Sequence, residues 1–257
     1  MTFNRLARIY ALESKYEFLK LMRLPIYVIF TLTFPVMFYV FFGLLMGRDA
    51  PPGRISMATY LLGTYGTFGI IGVALFGFGV GIAVERGLGW LQLKRASPMP
   101  PMAYLCSRLV VCALFSAMLL TVLFTIGITF GNVRMPLGQW ALLSLTLIAG
   151  TIPFCTMGLA IGNLANPNSA PAVINVLYLP MAFCSGLWIP LQFLPDFLRH
   201  LAPFFPAYHL SQIALRVMHA PAEGSILTHW EALAGFTILF TGIAWLGNRR
   251  EQEKMYG

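Results

Sequence analysis

Four histidines, His200, His209, His219 and His229, crowd into one stretch of this 257-residue chain and are its most metal-like feature. Their spacings of nine, ten and ten residues match no zinc or copper ligand set, so they read better as interfacial side chains than as a metal or proton-relay site. Cys106, Cys112, Cys155 and Cys184 all fall inside apolar segments and form no CxxC pair, which makes them small buried hydrophobes. No GxxxxGK[ST], HExxH or GxSxG occurs, so the chain offers no P-loop for ATP, no zinc-hydrolase helix and no nucleophile elbow. Without a nucleophile beside a base, an intramembrane enzyme is the weakest reading. The stretch that invites recognition rather than catalysis is Glu85 to Tyr104, ERGLGWLQLKRASPMPPMAY. It places Glu85, Arg86, Lys94 and Arg95 between two long apolar segments, where a simple turn would need none of them.

The elements that must carry this insert follow from composition. The chain is 58% hydrophobic and 10% charged, against roughly 25% charged for an average soluble domain. So few charges cannot cover a water-facing surface, and the predicted class is an all-α polytopic membrane protein. Gaps between charges predict six transmembrane helices at 24–47, 57–84, 107–132, 139–164, 170–188 and 227–248. The fourth and fifth lie within an uncharged run that breaks at Asn166-Pro167-Asn168-Ser169. The net charge of +8 is a topology signal and not a nucleic-acid footprint, because no basic cluster is interleaved with stacking aromatics. Twelve of the seventeen Lys and Arg residues fall on one side of such a bundle, leaving Arg48, Arg54, Arg134, Arg199 and Arg216 on the other. The positive-inside rule then puts both termini in the cytoplasm.

Three segments outside the spans carry pattern. Residues 1–23 form an amphipathic helix whose charge-free stripe of Phe3, Ala7, Tyr10, Ala11, Ser14, Phe18, Leu21 and Met22 suits the membrane interface. The insert, 85–104, reads as a short helix with Leu88, Trp90, Leu91 and Leu93 on its apolar side, stopped by Ser97-Pro98-Met99-Pro100-Pro101. Such a helix suits docking into another protein's groove, and equally suits anchoring at the interface. Residues 189–226 are too apolar for a loop and too broken by proline for a span, which predicts two short helices, near 195–201 and 206–218, re-entering from the outer side. The recurring Gly63, Gly66, Gly69 and Gly72, and the Gly158/Gly162 pair, predict close helix packing, inside one protomer before a dimer seam.

Glu85-Arg86 followed by Gly89, Leu91 and Ser97-Pro98 resembles the ERExGTLExLxxTPxS signature of ABC-2 type permeases. Ser185-Gly186-Leu187-Trp188-Ile189-Pro190, Leu194-Pro195, Ala202-Pro203 and Pro206-Ala207-Tyr208-His209 are similar to the SGxxxPxxxLPxxLxxxAxxxPxxY block of the same family. Gly87, Trp90 and Gln92 stand where the first pattern has Glu, Thr and Glu. The resemblance implies the membrane subunit of an ABC exporter in a bacterial inner membrane. It makes Glu85, Arg86, Gly89, Trp90, Leu91, Ser97 and Pro98 a cytoplasmic coupling helix for a separate P-loop ATPase. It makes Ser185, Gly186, Pro190, Pro195, Pro203, Pro206 and Tyr208 an outer gate. It also implies a second permease protomer, with ATP and magnesium held by the ATPase and no cofactor on this chain.

Acidic residues are absent from the middle of every predicted span, since Asp49, Glu85, Glu223 and Glu231 lie near helix ends. A proton- or sodium-driven carrier usually keeps an ionisable group there, so an external energy source is the leading expectation and a stand-alone secondary transporter or channel the alternative. The uncharged fourth and fifth spans suit an amphiphilic cargo. Replacing Glu85 and Leu91 is expected to uncouple ATP hydrolysis from export with folding intact.

Overall fold

Proline and serine set where the helices begin. In the computed structural model, which describes residues 3–45, 55–97 and 99–256, Pro25, Pro101 and Pro206 each stand in the first turn of a helix, where their missing N–H is not needed. Ser56 caps another, its hydroxyl accepting from the Thr59 amide at 3.1 Å. Pro98, and the first-loop residues Arg48, Asp49 and Arg54, lie outside the described residues.

The chain is helical throughout, with no strand among the described residues. Helix α1 is Phe3–Met22, and α2, Pro25–Phe38, continues through a π-helical stretch to Leu45. Helix α3, Met57–Ala74, runs through a second π-helical stretch, Leu75–Val80, into α4, Gly81–Gly87, as one rod of 31 residues. After α5, Trp90–Ala96, come α6, Pro101–Thr129, and then α7, Leu137–Ala149, and α8, Ile152–Leu164, which together make one bent element. The remainder is α9, Ala170–Cys184; two short helices, α10, Asp196–Leu201, and α11, Pro206–Val217; and α12, Ile226–Tyr256.

Five of these elements are long and apolar enough to cross a membrane: Pro25–Leu45, Met57–Gly87, Met102–Thr129, Leu137–Leu164 and Ile226–Arg249. The fifth span of the sequence reading, 170–188, is shorter than expected because its helix closes at Cys184. Gly186 takes a left-handed φ of 74°, and the Leu187 amide bonds back to the Ala182 carbonyl, a helix stop that only a residue tolerant of positive φ makes cheaply.

The α3 rod is the axis of the molecule. Fourteen of the eighteen residues in Met57–Ala74 are buried, and a helix apolar on every side must be surrounded. Its glycines recur every third residue, which drifts about 60° backward per step, so they face different neighbours in turn instead of one seam. The closest approach comes lower down, at the π-helical stretch. A Cβ on Gly158 of α8 would lie 2.9 Å from the Phe78 Cβ and 3.1 Å from the Gly79 amide nitrogen. The glycine pair thus serves packing inside the protomer. Gly158→Val should cost about 1–3 kcal/mol, because the obstacle is backbone and cannot turn aside. Thermal unfolding of the detergent-purified protein should show the loss, while Gly235→Ala, on an open face of α12, should not lower the midpoint.

Candidate functional site

At the foot of the α3–α4 rod the sequence's few charges are gathered. Glu85 is 5% exposed and lies on the last turn of the rod, before the short helix of the insert. Its carboxylate accepts from the Tyr104 hydroxyl at 2.7 Å, meets the Arg108 guanidinium at 2.7 Å and bonds the Lys20 ammonium. Arg108, also 5% exposed, donates its Nη1 to the Gly77 carbonyl at 2.7 Å and passes 3.7 Å from Glu17. Lys94 of α5 donates to Glu13 at 2.7 Å and to Glu17 at 2.8 Å, and sits over the Tyr104 ring. Three carboxylates from α1 and α4 therefore face three cations from α1, α5 and α6, a charge-neutral joint. Burial works against the Lys94 ammonium, but the bonds to Glu13 and Glu17 outweigh it and hold its proton affinity above the ordinary lysine value.

Helix α1 enters this joint with the face expected to be solvated. Glu13, Glu17 and Lys20 follow i, i+4, i+7 spacing and share one side. That side turns into the protein beside Phe18, whose ring lies 5.6 Å from Phe115 of α6. Glu17 is 6% exposed, whereas Ala7, Ala11 and Met22 of the charge-free stripe remain open. The signal was present in the spacing, and in the surplus of cations at the insert over its single acid.

The neighbouring residues of the insert divide by direction. Arg86 reaches the carbonyls of Asn163 and of Ala165, the latter at 2.5 Å, and so completes the C-terminal end of α8. Gly87 faces Pro167, and a Cβ there would meet the Pro167 Cγ at 2.3 Å, which is why no acidic side chain fits at this point. Leu88 and Gly89 make the turn, Gly89 with a φ of 74°. On α5, Leu91 and Lys94 face inward, Leu91 packing against the core. Trp90 and Leu93 face outward, 55% and 68% exposed, with Leu88 beside them at 67%. The Ser97 hydroxyl donates to the Lys94 carbonyl at 2.7 Å and closes the helix. Of the residues expected to make up a docking surface, Trp90 is thus the one that projects an apolar side chain, while Glu85, Arg86 and Leu91 hold the insert in place.

Roughly 33 Å of helix separates Glu85 from Gly63, near which the second motif block gathers. Ser185, Pro190 and Pro206 are buried there, and Pro195 and Pro203 are exposed at the turns. The Trp188 carbonyl accepts from the Tyr65 hydroxyl at 3.2 Å, and the indole lies tilted against Phe38 and edge-on to Phe68. Tyr208, 5% exposed, donates to the Glu223 carboxylate at 3.2 Å. Helix α11 is buried from Pro206 to Leu215 between α3, α7 and α12. A cleft of about 290 Å3 opens between α2, α3 and α9, lined by Phe30, Phe34 and Phe76 with Tyr27, Thr31, Asn175 and Tyr178 as its polar side chains.

A short, half-apolar helix held rigidly at one end of a multi-span bundle, with a proline-rich segment that leads into the buried α11 at the other, matches the order of both motif blocks. The profile of the ABC-2 type transporter family matches residues 11–218. This chain belongs to that family. It is a multi-pass membrane protein of transport. It is also 27% identical over 243 residues to the protein named "Putative transport permease YvfS" of Bacillus subtilis (strain 168), covering 94% of this chain and 97% of that relative. As an ABC-2 permease it is a transport subunit, not an enzyme.

Proposed function

We propose that this permease is the membrane half of an ATP-driven exporter and takes its energy through the insert. The observation that carries the reading is the exposed surface of Leu88, Trp90 and Leu93 at α5, whose inward Lys94 pairs with Glu13 and Glu17 of α1, beside the Glu85–Arg108 pair that joins α4 to α6. A partner that pushes on this surface moves three long elements together, because the joint couples them and the rod runs unbroken to the far motif block. The partner is a separate P-loop ATPase, which holds the ATP and magnesium, and a second permease protomer completes the path. The insert and both termini face the cytoplasm of a bacterial inner membrane, and the α10–α11 segment forms the outer gate. The phenylalanine-lined cleft with its few polar side chains suits an amphiphilic cargo.

The test is to purify the tagged chain from its native membrane and look for a P-loop ATPase bound to it. The two should purify together, and reconstituted vesicles should lose transport when ATP is withheld. Purification of the permease alone, with transport driven by an ion gradient, would overturn the reading.

A further inference from the structure

His209 of α11 and His229 of α12 were set aside as interfacial side chains, yet they touch. Their Nδ1 atoms lie 2.9 Å apart, and the residues are 8% and 3% exposed. The other nitrogen of each ring faces a backbone carbonyl: His209 Nε2 lies 2.9 Å from Pro203 O, and His229 Nε2 lies 2.8 Å from Glu223 O. A carbonyl can only accept, so each Nε2 must carry a proton. The Nδ1–Nδ1 contact needs one more, since two lone pairs at that distance repel. Three contacts thus require three protons, whereas two neutral imidazoles bring two. The geometry is satisfied when the pair carries one extra proton and unit positive charge.

Few titratable groups surround it. On α11, the Tyr208 ring stands edge-on 5.3 Å from His209 and 5.7 Å from His229. Its hydroxyl donates to the Glu223 carboxylate. Helix α12 adds the Phe236 ring, 6.2 Å from His209, and carries Glu231 on an exposed face. Arg216 is directed to the Ala222 and Gly224 carbonyls, and Gln139 of α7 to the Val217 carbonyl. No metal-binding cluster of three or more His, Cys, Asp or Glu forms among the described residues. Burial lowers the proton affinity of His209; the hydrogen bond to the Pro203 carbonyl opposes this, and the neighbouring His229 adds to the lowering.

We propose that His209 and His229 share one removable proton that pins α11 to α12, making a pH-sensitive latch on the α10–α11 segment. When it leaves, one of the three contacts must break. Either the rings repel at Nδ1, or one rotates and abandons its carbonyl inside the protein. Acid therefore holds the segment and alkali loosens it.

Hydrogen–deuterium exchange of the full chain in lipid nanodiscs from pH 5.5 to 9, corrected for intrinsic exchange, tests this without relying on transport. Protection in 203–217 and 223–233 should fall about tenfold across a step in that range. Glu223→Gln keeps the backbone carbonyl and should keep the step, whereas His229→Gln should abolish it. Flat protection in the wild type would overturn the latch, as would loss of the step in Glu223→Gln or its persistence in His229→Gln. The wild type and the Glu223 variant decide the matter by themselves where the histidine variant does not assemble.

Discussion

Glu85→Gln is expected to destabilise the protein by about 3–5 kcal/mol, the largest loss anticipated for a single uncharged isostere in this chain. The neutral joint becomes positive. Arg108, 5% exposed, then keeps the Gly77 carbonyl at 2.7 Å, Glu17 at 3.7 Å and the face of the Tyr104 ring, which do not replace a carboxylate at 2.7 Å. Glu13→Gln should cost far less, because the Glu13 side chain is partly exposed and Lys94 retains Glu17 at 2.8 Å. Thermal or denaturant unfolding in detergent measures both. The double variant Glu85→Gln, Arg108→Gln should recover part of the loss, since it removes the stranded charge along with its partner. Additive losses would mean that the two side chains do not act as a pair. Replacement of Glu85 is therefore expected to act on the fold, whereas the insert alone led to the expectation that folding stays intact.

That difference marks what the sequence could and could not convey. Mean hydropathy and charge gaps are local properties, so the apolar helices, the short α5 and the proline-led α11 were legible from windows of some twenty residues. Helix α1 carried its pattern too, yet Glu13, Glu17 and Lys20 read equally well as a solvated face. Their partner Lys94 stands 81 and 77 residues away from the two glutamates, and only the fold brings them together. Gly87 looked like the loss of a docking carboxylate; the structure gives a steric cause, the turn at Pro167 against its Cα. The histidines failed for the same reason as α1. Spacing excludes a ligand set on one helix, but His209 and His229 meet across two helices, and periodicity holds no record of that. The short α9 is the converse case, since Ser185-Gly186 was in view and a glycine one residue past a helix end is a stop signal.

Trp90→Ala with Leu93→Ala should leave stability nearly unchanged and cost about 3 kcal/mol of binding to the ATPase, on the order of 100-fold in Kd. The asymmetry follows from direction. Both side chains point away from the bundle, 55% and 68% exposed, and the contacts that hold α5 run through Leu91 and Lys94 on its other side. Removing outward apolar atoms takes nothing from the joint, but it removes the aromatic anchor that a partner's groove would bury. Leu91→Ala is the mirror image: it should destabilise the permease through lost packing and weaken docking only as α5 loosens. Unfolding midpoints and ATPase affinity, measured on the same preparations, separate the two. A Trp90/Leu93 variant that binds its ATPase with wild-type affinity would remove this surface as the docking site, even where the joint beneath it behaves as described. Wild-type affinity with lost ATP-dependent transport would instead place the role of Trp90 and Leu93 in transmitting motion after docking, because binding and the push would then draw on different atoms of the same short helix.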